Sequence, residues 1–239
     1  MGLLGLFSKK PGGALKKHAE RVANKRAQAV DRWDSIQALV REGSVEAVEA
    51  LLPRLSFYVD PSITDQEEKD SVFGGILRVG KPALPAVIRF METSESLSWP
   101  LKILDQLASS GEVAAVLLEL LEPMDTEYER DPQRKIQLLS ALEERPDTNT
   151  ASKVVRFLRD ANETVRFVSV GALLVQDDEG IRDALLECLC AEESVRVRNR
   201  VLEGFSKRGW RVTDRLDEVR RVLTPGFAAD TNGTIRKLA

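Results

Sequence analysis

Asp131-Pro132-Gln133-Arg134-Lys135, Asn162-Glu163-Thr164-Val165-Arg166 and Glu192-Glu193-Ser194-Val195-Arg196 open three stretches of one design. Their starts lie 31 and 30 residues apart. Each begins with an acidic or capping-type residue and carries a basic residue four positions on. Each then runs into apolar residues at helical spacing: Ile136, Leu138, Leu139 and Leu142; Phe167, Val170, Leu173 and Leu174; Val197, Val201, Leu202 and Phe205. Apolar residues three and four apart lie on one face of a helix, and a capping residue just before them marks where it starts. Short polar breaks at 143–148, 176–179 and 207–211 separate each helix from a second one, carrying Val154, Val155 and Leu158; Ile181, Leu185, Leu186 and Leu189; and Val212, Leu216 and Val219. The unit is a helix-turn-helix of about 31 residues, and such recurrence marks a repeat architecture.

Working towards the N-terminus, the pattern persists with looser spacing. Ser98 reads as an N-cap with Pro100 in the first turn. Gly43, Gly80 and Gly111 read as helix terminators. Pro53 should bend or shorten its helix, whereas Pro85 suits a first turn. An insertion at 56–64 lengthens one loop. The result is six expected pairs at 31–55, 64–92, 97–122, 131–159, 163–190 and 193–222, preceded by a lone helix over about 14–30. No long run alternates with period two, so sheet architectures are set aside. Each pair has an apolar seam that it buries only against its neighbours. The expected fold class is all-α, an α-solenoid forming a right-handed superhelix. Its expected organisation is a basic segment over 1–30, a solenoid over 31–222 and a tail or cap over 223–239, to which Phe227, Ile235 and Leu238 would contribute.

The Asp131, Asn162 and Glu192 openings, the basic Lys135, Arg166 and Arg196, and the Ala141-Leu142 and Ala172-Leu173 pairs resemble HEAT-type repeats of the short bacterial kind. The resemblance is close over 131–208 and approximate over 31–122. It implies an armadillo-like solenoid with the second helices on its concave face, and a role in scaffolding. Two enzyme families share that architecture and size, the bacterial alkylpurine DNA glycosylases and the lyases that attach bilin chromophores. The catalytic motif of neither maps residue by residue onto this sequence.

Composition narrows the chemistry. The chain has 239 residues, a hydrophobic fraction of 43% and only 5% aromatics. His18 is the only histidine, which excludes a zinc site built on several imidazoles and argues against a Ser-His-Asp arrangement. Nucleotide-loop, HExxH and calcium-loop patterns are absent. Cys188 and Cys190 give no disulfide framework, and two residues apart on a helix they face different sides; a reducing compartment is the natural reading. The carboxylates Glu67 and Glu68, or Asp177, Asp178 and Glu179, lack the spacing of a cation loop. Neither an enzyme nor a cofactor or metal site is therefore expected.

Charge is unevenly placed. Over 1–32, Lys9, Lys10, Lys16, Lys17, Arg21, Lys25, Arg26 and Arg32 face Glu20 and Asp31, whereas the remainder sets 27 basic residues against 36 acidic ones. With Leu3, Leu4, Leu6 and Phe7 ahead of it, the N-terminal segment reads as a frayed terminus covering the first helices. Peripheral membrane contact and docking on an acidic partner remain alternatives. Glu112, Glu119, Glu122, Asp125, Glu127 and Glu129 form an acidic run without a basic residue, which disfavours nucleic acid and favours a basic protein partner. Between 182 and 221 ten basic residues meet eight acidic ones, too mixed for a nucleic-acid stripe. Lys135, Arg166 and Arg196 read as intramolecular ties rather than a ladder for a polymer.

The expected function is a non-catalytic protein-protein interaction scaffold or adaptor, cytoplasmic or peripheral at the inner face of a membrane. The alternative is a DNA-binding HEAT-like protein or a glycosylase-like enzyme. Candidate surface residues are Glu112, Glu119, Trp99, Arg208, Trp210 and Arg215, the last three as a local anion corner.

Overall fold

A computed structural model describes residues 11–176 and 178–238. The apolar plug Leu3, Leu4, Leu6 and Phe7 and the adjoining Lys9 and Lys10 lie outside the described residues, as does Asp177. Within them the chain is mostly helical, with thirteen α-helices and one two-stranded sheet. It divides into two compact units, 1–109 and 110–239. The boundary falls inside the pair expected at 97–122.

The first unit contains α1 (Pro11–Ala23), α2 (Ala29–Glu42), α3 (Val45–Leu51), α4 (Ser62–Val79), α5 (Leu84–Thr93) and α6 (Ser98–Leu107). Helix α4 packs on α2 and α6, while α3 packs on α1 and α5. Two layers result, with Ile36, Leu39, Leu51, Val72, Ile76, Val87 and Ile103 buried between them. Gly43, Pro53 and Pro85 act as read, and Ser44 adds a cap not singled out in the sequence. Gly43 ends α2 with φ 64°, a left-handed conformation that costs glycine little. Ser44 accepts the Ala47 amide as the cap of α3. Pro53 falls where α3 tightens into a 3-10 turn over Leu52–Ser56, and Pro85 stands in the first turn of α5. Two readings need correction. Gly111 does not terminate a helix; α6 stops at Leu107, and Gly111 sits in the first turn of α7 (Ser110–Leu121). Ser98 is the first residue of α6 rather than its cap, and Leu97 precedes it.

Charges are buried inside this unit. Arg54 and Glu68 are fully enclosed, and Arg32, Asp65 and Lys69 nearly so. Glu68 Oε2 accepts from Arg32 Nε at 2.7 Å and Arg54 Nε at 2.5 Å. Asp65 accepts from Arg54 Nη2 at 2.8 Å, the Val59 amide at 3.1 Å and Lys69 Nζ at 2.7 Å. Burial pushes the Asp65 carboxyl up, but Lys69, Arg54 and the Val59 amide outweigh it and hold it below its ordinary value. The neighbouring carboxylates Glu67 and Glu68 part company here: Glu67 is exposed and Glu68 enclosed.

The second unit continues from α7 through α8 (Gln133–Leu142), α9 (Thr150–Val154) with its 3-10 extension Val155–Arg159, α10 (Glu163–Leu174), α11 (Ile181–Ala191), α12 (Val195–Arg208) and α13 (Leu216–Val222). Helix α10 packs between α8 and α12, and α11 packs against the Val155–Arg159 turn and α13. First helices therefore lie on first helices and second on second. Asn162 caps α10 through the Thr164 and Val165 amides, and Ser194 caps α12 through Val197. Leu138, Phe157, Leu173, Leu185, Val201 and Phe205 are fully buried. Each such side chain contributes roughly 1.5–3 kcal/mol of apolar burial, and a helix pair alone would leave that surface wet.

The tail differs from the sequence reading. Beyond α13 the chain forms an antiparallel hairpin, β1 (Phe227–Ala229) and β2 (Ile235–Lys237), with Ala228 opposite Arg236. Its turn uses Gly233 at φ 80°, and β2 packs on α12. Phe227 and Ile235 are buried as cap residues, whereas Leu238 is half exposed. Three-residue strands are too short for period two to show in sequence.

Candidate interaction groove

All three recurring basic residues have internal partners, Lys135 enclosed, Arg166 half-buried and Arg196 exposed along the surface. Lys135 Nζ, enclosed within the second unit, donates to Asp160 at 2.9 Å and stands 3.6 Å from Glu129. Arg166 makes a fork to Glu192 at 2.7 and 2.9 Å and donates to the Asp160 carbonyl at 2.8 Å. Arg196 covers the Phe167 ring at 3.8 Å and stands 3.9 Å from Glu163. Lys135 ties α8 to the end of its own pair's second helix, Arg166 clasps the links on either side of its pair, and Arg196 reaches back to the preceding first helix, so these cations are engaged as internal fasteners. Burial alone would raise the Glu192 carboxyl, but the Arg166 hydrogen bonds and the Ser194 and Glu193 amides outweigh it, and its pKa is lowered. A fourth tie, Arg200 to Glu143 at 2.5 Å, crosses α10 over Gly171. A Cβ at Gly171 would meet Arg200 Nη2 at 2.1 Å.

The candidate surface residues are divided between the two units. Trp99 belongs to the first unit, half-buried, edge-on to Phe73 at 5.9 Å and covered by Lys102 at 4.5 Å. The other five belong to the second. Glu112 and Glu119 are exposed on α7. Trp210 is buried edge-on against Phe205, with ring centroids 5.3 Å apart. Arg208 stacks over Trp210 at 4.8 Å and donates to the Leu174 and Gln176 carbonyls at 2.6 and 2.5 Å. Arg215 pairs with Glu218 at 2.5 Å. Both arginines of the expected anion corner are thus occupied, one by the C-terminal end of α10 and one by a carboxylate. Trp33, in the first unit, is exposed.

A groove of about 870 Å³ runs along the second-helix layer of the second unit. Its floor is small and apolar: Val155 and Leu158 from the turn, and Ala184, Cys188 and Ala191 from α11. Positions 184, 188 and 191 stand four and three residues apart, so one helical stripe faces the groove. Burial pushes the Cys188 thiol up to about 12, with the Glu192 charge adding and Arg166 opposing; it behaves as a packing group. Sequence reading missed this floor because its residues are small and come from two different repeats. The rim is charged. Arg156 donates to the Leu121 and Glu122 carbonyls at 2.7 and 3.1 Å and lies over Phe157. Arg159 pairs with Glu187 at 2.6 Å. The adjoining loop is fastened by the Ala161 amide donating to the Thr126 carbonyl at 2.9 Å.

No family model, curated protein or solved structure matches this chain. Among the described residues no group of three or more histidine, cysteine, aspartate or glutamate side chains is placed to hold a metal ion. No single helix there is long and apolar enough to cross a membrane; α4 and the segment Lys81–Thr93 pass that test only together, bent by 110°.

Proposed function

We propose that this chain is a non-catalytic, HEAT-like helical-repeat module that holds another protein in the groove between the Val155–Arg159 turn and α11. The observation that carries this reading is the division of labour in the second unit. The recurring cations are engaged by internal partners, while the second-helix layer offers an open trough with an apolar floor and a charged rim. Protein interfaces combine an apolar centre with a polar border in this way. A solenoid arrangement and a scaffolding role follow from the same pattern of first helix on first and second on second, each repeat depending on its neighbour for cover.

Affinity capture tests the proposal with three forms of the protein: the intact chain, Ala184→Trp, and a chain lacking residues 1–13. The expected result is one protein held by the intact and shortened forms and lost from Ala184→Trp, whose indole fills the floor. Equal capture by Ala184→Trp would reject the groove. Loss from the shortened form alone would move the contact to the N-terminal segment.

A further inference from the structure

Resting on that reading, we infer that the occupant of the groove is an extended protein segment that carries lysine or arginine between small or medium apolar residues. The argument is one of charge left over after internal pairing. Among the acids that line the groove, Asp160 is bound by Lys135, Glu192 by Arg166 and Glu187 by Arg159. The remaining lining cation, Arg156, is turned onto the carbonyl end of α7. Asp125 and Glu193 remain as exposed carboxylates with no ion-pair partner among the described residues. Asp125 does accept the Glu127 amide at 3.1 Å, which fixes the turn. The loop from Glu122 to Asp131 adds Glu127 and Asp131, while its Glu129 stands 3.6 Å from Lys135. Its exposed Tyr128 offers a ring face, a favourable seat for a cation.

The floor sets the shape of the occupant. Ala184, Cys188 and Ala191 present short side chains to the trough and leave room for the apolar side chains of an occupant. An extended chain puts alternate side chains on opposite faces. Apolar residues then enter the trough while intervening cations reach Asp125 and Glu193 at its edges. An acidic or nucleic-acid ligand would meet those same carboxylates as repulsion.

The test uses the full chain and three short fluorescein-labelled peptides, alternating leucine with lysine, glutamate or serine, followed by fluorescence anisotropy. The lysine peptide should bind, and should weaken as salt rises. Ala184→Trp should abolish its binding. The double reversal Asp125→Lys with Glu193→Lys should weaken it by about tenfold. Asp34→Lys with Glu67→Lys, an equal change of net charge in the first unit, should leave it unchanged. If both reversals weaken binding equally, the attraction is to net charge and the inference falls. If the serine or glutamate peptide binds best and Ala184→Trp removes it, the groove stands but its basic occupant is rejected. If Ala184→Trp alters no peptide while its thermal unfolding matches the parent, the groove itself is rejected.

Discussion

At the scale of single residues, Glu68 and Arg54 show what burial does to charge. Glu68 holds two guanidinium groups on one carboxylate oxygen, with no solvent to share the load. Glu68→Leu leaves Arg32 and Arg54 enclosed without that counter-charge. The expected cost is about 3–5 kcal/mol, the usual penalty for breaking one side of a buried pair, read as a lower urea midpoint with unchanged slope. By contrast, Asn162→Ala removes one helix cap and should cost about 1 kcal/mol in the same measurement. The cap was legible in sequence, since asparagine ahead of an apolar-periodic run has one obvious use. The buried carboxylate was not. Glu67 and Glu68 are chemically equal, and only about 100° of helix rotation separates the enclosed one from the wet one.

At the scale of elements, close approach of helices is written into glycines. A Cβ at Gly75 on α4 would lie 2.4 Å from a Val40 methyl on α2. Valine is branched and has little room to turn away. Gly75→Ala should therefore destabilise the protein by about 1–3 kcal/mol, although alanine is the better helix former; thermal unfolding would detect it as a lower Tm. At Gly204 the neighbour is Leu174, longer and half-buried, so the loss from Gly204→Ala should be smaller. The helix start at Asn162 and the break at Pro53 agree with local sequence because capping and proline act within one turn, whereas Ser194 rather than the opening Glu192 caps α12. Gly111 misled because a glycine between two helices suits the start of one as well as the end of the other. The terminal hairpin escaped notice because its three-residue strands are recognised only by what they pair with and cover.

For the whole chain the relevant quantities are charge and its response to pH. The formal net charge is -3, and the recurring cations are engaged internally. The intact protein should therefore elute from heparin at or below about 0.15 M salt, and Lys16→Glu with Lys17→Glu, both exposed on α1, should remove that retention. Strong retention of this variant would favour the DNA-binding alternative. Acid is the complementary probe. Asp65 and Glu192 have native pKa values below their ordinary ones, so the unfolded chain takes up their protons first as pH falls. Their contribution is intact above the ordinary carboxylate range and is lost as pH falls through the lowered native values. Tm should accordingly hold from about pH 7 to pH 5 and decline below about pH 4. Glu192→Gln should lower Tm at neutral pH and lessen the acid decline, because part of the titrating difference is gone.

What the order of residues settled was helical: the period near 31, the Asn162 cap and the break at Pro53. Those features rest on interactions within a turn or between adjacent turns, so a linear reading captures them. The inward engagement of Lys135, Arg166 and Arg200, the burial of Trp210, the enclosed charges around Glu68 and the groove floored by Ala184, Cys188 and Ala191 needed three dimensions. Each depends on side chains brought together from different helices, turns or links of the chain. A residue's type does not say whether its partner is water or another helix, and that distinction separates a fastener from a binding surface.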